Sequence, residues 1–224
     1  MPKERFFKRD WTAGSFSKVG HTEYNERKSH RVLITPDPSF YPQKDPDKLA
    51  KEFLKDMRKE HKILTEEIGL ECAPLPERIP QKKVDKHEDM KGRPWFHREG
   101  YNSLTKEDYI KDGKPNEAVL DAFADIFKKA ADKHYSLDAF VGNFGLHPET
   151  GNIVIRDLLS MVWSDSTATV TNPSHPGHEE EVARVLTAEN TERFLDSLIK
   201  HQLVNLEEHK KIADYFLAKH GINT

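Results

Sequence analysis

The sequence predicts an α+β fold in two parts, a small strand-rich region over residues 1–101 and a mostly helical region over residues 102–224. Three observations carry this. Residues 11–35 hold short β-branched and aromatic runs broken by Gly and Pro. From residue 116 onward the apolar residues recur at helical spacing in three segments. Between the two patterns, residues 74–94 are rich in Pro and charge and match neither period. Strands first and helices after is the order of an α+β arrangement.

At 224 residues the chain is long enough for one domain of two lobes with a sizeable core. The net charge of -3 supplies no strong field for nucleic acid, so no direct nucleic-acid binding is expected. Lys3 to Arg9 is a basic stretch, read as a solvated terminus rather than an interaction arm. A single cysteine, Cys72, excludes an intramolecular disulfide and fits a reducing compartment. No apolar run approaches the ~18 residues of a membrane span, and the charged N-terminus lacks the apolar stretch of a signal peptide. A soluble, cytoplasmic protein is expected.

Residues 11–19 and 31–35 read as paired strands, with Pro36 and Pro38 stopping the second. Residues 47–68 read as a helix with Leu49, Phe53, Met57, Leu64 and Ile68 near one face and Gly69 as its stop. Loops around short strands are expected over 74–94, and a strand running into a turn at Gly100 over 95–101. Residues 116–134 form the clearest helix, with Val119, Leu120, Phe123, Ile126, Phe127 and Ala130 in one stripe. Residues 147–151 read as a hairpin turn and 152–156 as a returning strand. Residues 160–178 read as an irregular polar loop. Helices are expected over 189–203 and from Asn205, whose spacing to Glu208 matches a capping box, to about His220. These last two read as an αα-hairpin.

The chemistry concentrates after the central helix. Asp138, Asn143 five residues on, and Asp157 at the end of the returning strand place two carboxylates and an amide where a hairpin brings them together. Phosphoryl transfer from ATP needs such a set: one carboxylate to orient the attacking hydroxyl, and an amide oxygen with another carboxylate to hold magnesium. The plainer reading is that Asp138 and Asn143 are turn residues bonding their own backbone. His175, His178 and Glu179 to Glu181 lack the helical spacing of a zinc site and read as a loop entering an acidic helix start. Cys72 has no partner that would mark it as a nucleophile.

With these residues in place, the chain resembles the protein-kinase-like fold, over roughly residues 11–160. Residues 12–19 look like a glycine-rich loop, with Gly14 at its second glycine, Phe16 at the tip, Ser17 at the third glycine and Val19 over the adenine. Thr12 replaces the first glycine. The resemblance implies that Gly14, Ser15, Phe16 and Ser17 cover the phosphates. Glu60 looks like the helix glutamate that pairs with a strand lysine, and Glu99 to Tyr101 falls where the hinge would be. Asp138 matches the catalytic aspartate, Asn143 the magnesium asparagine and Asp157 the magnesium aspartate. The likeness is closest to the shortened serine/threonine kinases of short-tailed lytic bacteriophages, with their reduced helical C-lobe.

That resemblance implies ATP and Mg as cofactors, bound between the lobes, and host proteins as substrates during takeover in the host cytoplasm. The strand lysine falls at Ile34, and Lys18, Lys28 and Arg31 are the candidates to replace it. Leu158 and Leu159 stand where Phe and Gly would follow Asp157, and Phe140 stands where a histidine is common. The alternative is a pseudokinase that binds and blocks a host protein without catalysis. A small-molecule phosphotransferase shares the loop spacing but carries a larger helical lobe. The Ser164 to Thr171 stretch sits where kinases keep an activation loop and is either an autophosphorylation target or a polar loop.

Overall fold

The computed structural model describes residues 12–13, 17–24, 29–37, 39–42, 44–86, 90–159, 161–164 and 177–223. Helix and strand are mixed: strands dominate the N-terminal region and helices the C-terminal one. The chain packs as two compact units. The first comprises residues 1–61 and 73–101, the second residues 62–72 and 102–224.

In the first unit, β1 (Thr12–Ala13), β2 (Ser17–Tyr24) and β3 (Ser29–Pro36) precede the helix α1 (Pro46–Lys62). After it come β4 (Glu77–Arg78), the single turn α2 (Gln81–Val84) and β5 (Phe96–Glu99). The strands form one antiparallel sheet in the order β1-β2-β3-β5-β4. β3 is central, so Val32, Leu33 and Ile34 are all buried, as a strand covered on both faces requires. Leu33 packs with Val84, Met90 and Trp95. The Trp95 indole N–H donates to Met90 O at 3.0 Å, which satisfies its one polar atom. α1 buries Leu49, Phe53 and Met57, the stripe its sequence spacing marks. The Phe53 ring lies 5.1 Å from Phe96. α1 gives way to a π-turn over Ile63–Ile68, which buries Leu64 and Ile68 and ends at Gly69. Gly69 holds φ 80°, a left-handed conformation that glycine adopts without a Cβ clash.

The second unit starts with that π-turn and continues through α3 (Lys106–Tyr109), the pair β6 (Ile110–Lys111) and β7 (Lys114–Pro115), and α4 (Glu117–Asp132). Then come β8 (Tyr135–Leu137), a 3-10 turn over Val141–Asn143, β9 (Phe144–Leu146), β10 (Ile153–Ile155) and β11 (Val162–Ser164). Two helices close it, α5 (His178–Lys200) and α6 (Leu206–His220). Its core is aromatic: Phe123 lies 4.3 Å from Phe194 and 5.1 Å from Phe144, ring centre to ring centre. Asn205 caps α6 by accepting from the Glu208 N–H at 2.9 Å, and Glu208 returns the bond to the Asn205 N–H.

Two expectations needed correction. α5 begins at His178, not near residue 189. Glu179, Glu180 and Glu181 form its acidic first turn, as their reading as a helix start expects, and Val182, Leu186, Phe194 and Leu198 make one buried stripe that Thr187, Asn190 and Thr191 interrupt in sequence. Two of these hydroxyls bond back into the helix: Thr187 donates to Ala183 O at 2.7 Å and Thr191 to Thr187 O at 2.8 Å. Within the supposed loop of 160–178, Val162–Ser164 is a strand paired antiparallel with Leu137 to Tyr135. Residues 165–176 lie outside the described residues.

Candidate functional site

The segment from Ser136 to Asp157 lies wholly in the second unit. β9 and β10 pair antiparallel, Phe144 opposite Ile155 and Leu146 opposite Ile153. The turn joining them closes with the His147 N–H donating to Asn152 O at 2.8 Å, and Gly151 takes φ 71°. Because Asn143 precedes the first strand and Asp157 follows the second, the hairpin sets them side by side. The N–H groups of Arg156 and Asp157 point to Asn143 O at 2.8 and 3.4 Å. The Asn143 Nδ2 donates to Asp138 O at 2.9 Å and so closes the loop between them. Asp138, Asn143 and Asp157 are thus joined by hydrogen bonds on one loop and one hairpin.

The side-chain oxygens left over decide what the loop can hold. With Nδ2 committed to a carbonyl, the Asn143 Oδ1 is an acceptor with no hydrogen bond among the described residues, and the same is true of the Asp138 carboxylate. Asp157 Oδ1 accepts from the Leu159 N–H at 3.2 Å. An amide oxygen and a carboxylate, on residues whose backbones the hairpin holds side by side, are hard-oxygen donors of the kind that suit magnesium, so the residue types present fit that ion. No group of three or more His, Cys, Asp or Glu gathers among the described residues.

Residues outside the motif hold this loop in place. Asn190, Arg193 and Ser197 share one face of α5. Asn190 Oδ1 accepts from the Leu137 N–H at 2.8 Å and Ser197 Oγ from the Val141 N–H at 3.0 Å. Arg193 donates to Ser136 Oγ and to Leu137 O. On the other side, Arg156 Nε donates to Gly142 O at 2.7 Å and its Nη1 to Ser103 Oγ at 2.9 Å. Burial pushes the Arg156 pKa down, and the neighbouring Asp157 opposes that. Sequence reasoning missed all four. The available signal was polar residues at i, i+3 and i+7 on the buried side of an otherwise apolar helix.

The remaining predicted residues lie in the first unit. Ser17 and Val19 are in β2, where Ser17 pairs with Pro36 and Val19 with Ile34. Gly14, Ser15 and Phe16 lie outside the described residues, as does Lys28. Lys18 pairs with Thr35, and Arg31 with Thr22 and Glu99. Glu60 is in the last turn of α1, half-buried. Ile34 is 2% exposed, a core residue of the central strand. Cys72 is partly buried, and burial pushes its thiol up to about 12, which keeps it protonated and unreactive. A cavity of about 500 Å³ opens elsewhere in the second unit, lined in part by Asp121, Lys128, Glu180, Arg184 and His220. None of the loop residues lines it. Among the described residues no helix is long and apolar enough to cross a membrane.

No protein-family model matches the chain, and no curated protein matches it. Among solved structures it is similar to the kinase domain of Mycobacterium tuberculosis PknI, at 10% identity and a TM-score of 0.39, over 84% of this chain and 76% of that one.

Proposed function

We propose that the chain is a kinase-like phosphotransferase, moving the terminal phosphoryl group of magnesium-bound ATP to a serine or threonine hydroxyl of a protein. The observation that carries this is the Asn143 side chain. Its Nδ2 bond to Asp138 O turns Oδ1 away as a ligand atom, while its backbone O ties down the residue pair that ends in Asp157. Asp138 orients the acceptor hydroxyl and takes its proton as the new O–P bond forms and the bond to the leaving diphosphate breaks. Asn143 Oδ1 and Asp157 hold the ion, which when bound neutralises the phosphate oxygens. The sequence resemblance to shortened bacteriophage kinases extends the proposal to host proteins as targets, in the host cytoplasm.

A second reading has its own observation. By the sequence resemblance Ile34 falls where the phosphate-positioning lysine would be, and it is buried in the sheet. That favours a pseudokinase that binds a protein without catalysis. Incubation with magnesium and labelled ATP separates the two. The kinase reading expects transfer to the chain or to a lysate protein, abolished by Asp138→Ala and by Asp157→Ala. Binding of a host protein that survives both substitutions, with no transfer by the unaltered chain, overturns it.

A further inference from the structure

The proposed kinase site lies beside a cation that the catalytic set does not use. Along residues 138–141 burial alternates: Asp138 and Phe140 are partly exposed, Ala139 and Val141 buried. Phe140 has φ -78° and ψ 130°, an extended conformation. The alternation places Phe140 with Asp138 on the more exposed side of this stretch. Two residues of extended chain separate their Cα atoms by about 7 Å. The C-terminal end of α5 packs onto that ring. The His201 ring meets Phe140 edge-on, 4.5 Å between centres at 83°, and the Lys200 ammonium lies 5.6 Å over the ring. This is cation–π distance. A lysine in the last turn of a helix suits its dipole, but the dipole does not explain why the ammonium is drawn over Phe140. Asp196 stands one turn earlier on the same helix, yet Lys200 makes no ion pair among the described residues.

We infer that Lys200, seated on Phe140 and His201, is a specificity-determining residue that receives an acidic side chain of the protein substrate. This rests on the phosphotransferase reading. The Phe140 ring that seats the ammonium belongs to the residue about 7 Å along the chain from Asp138, and an extended peptide advances about 3.3 Å per residue. The acid it receives is therefore the Asp or Glu two or three residues from the acceptor hydroxyl. An exposed cation paired across a binding surface selects among partners more than it adds raw affinity. Charge reversal then turns attraction into repulsion, a penalty a neutral substitution does not impose.

The test is a panel of serine peptides carrying Glu, Gln or Lys two or three residues to either side of the acceptor, assayed with magnesium ATP. The unaltered chain is expected to favour a Glu peptide over its Lys counterpart by about tenfold in kcat/KM, mostly through KM. Lys200→Arg should keep that order, and Lys200→Glu should invert it in a chain that remains folded by its cooperative melting. Phe140→Ala should flatten the preference by freeing the ammonium. Transfer by the unaltered chain with no preference, or a preference that Lys200→Glu leaves in place, overturns the inference and leaves the phosphotransferase standing. Absence of transfer to any peptide or lysate protein overturns both.

Discussion

Asn143 has two tasks on one side chain, and they can be separated. Its Nδ2 fastens Asp138 O and its Oδ1 remains for a ligand. Asn143→Asp keeps an oxygen ligand but replaces the donor with an acceptor facing a carbonyl. A lost hydrogen bond of this kind is worth about 1 kcal/mol, more if the carbonyl is left unsatisfied. Turnover in the labelled-ATP assay is therefore expected to fall roughly tenfold, with the magnesium requirement retained. Turnover equal to that of the unaltered chain would mean the Asp138–Asn143 bond does not position the loop. At this scale the sequence was partly legible. The spacing of Asp138, Asn143 and Asp157 was visible because loop, hairpin and strand are short and local. Arg156 was not, because its acceptor Ser103 Oγ lies 53 residues away, and local pattern carries no signal at that range.

α5 is the element on which the loop's geometry depends. Its buried Asn190 and Ser197 accept from the N–H groups of Leu137 and Val141, which flank Asp138. Removing either acceptor leaves a buried backbone N–H unpaired, at a cost of about 1–3 kcal/mol. Ser197→Ala and Asn190→Ala should each lower urea stability by that order and accelerate amide exchange at Val141 or Leu137 respectively. Exchange unchanged at both amides would show that the helix only fills space. The same polar residues explain why the start of α5 was placed too late: they interrupt the apolar period and have low helix propensity. Where the period is unbroken, as in α4 with Phe123, Ile126 and Phe127, sequence and structure agree within two residues. α6 is clasped to α4 by Asp121, which accepts from Lys219, Tyr215 and His220. Those bonds, Lys219 first and Tyr215 next, hold the Asp121 pKa at about 2. The folded value lies below that of an unfolded aspartate, near 3.9. The clasp is therefore fully present above about pH 4 and lost as pH falls through 2. Asp121 is 39% exposed, so water screens the pair and the contribution is about 1 kcal/mol or less. Acid unfolding of Asp121→Asn should begin from a lower stability and fall less steeply between pH 4 and 2. Identical profiles for the two chains would remove the clasp from the account.

At the scale of the whole molecule, the second unit is discontinuous along the chain, because residues 62–72 belong with it. The reason is visible at β10. The Ile155 N–H donates to Glu71 O at 3.0 Å, and Cys72 bridges Ile155 in parallel register. Asn152 Nδ2 donates to Glu71 Oε2 at 3.0 Å, and the Tyr135 hydroxyl to Glu67 Oε2 at 2.8 Å. A short strand such as β10, paired on one side only, presents unmet backbone groups on the other. The segment after the π-turn supplies that second partner, next to the residue pair that leads into Asp157. Such a contact is invisible in sequence, since about 80 residues intervene and Glu71 carries no pattern that points at Ile155. A fragment of residues 62–224 should therefore be more stable to urea than one of residues 102–224. In the shorter fragment the Ile155 amide should exchange faster. It should also self-associate with rising concentration, as an uncovered strand edge does. Equal midpoints and equal Ile155 exchange in the two fragments would mean that residues 62–72 are not part of what holds the Asp157 end of the hairpin.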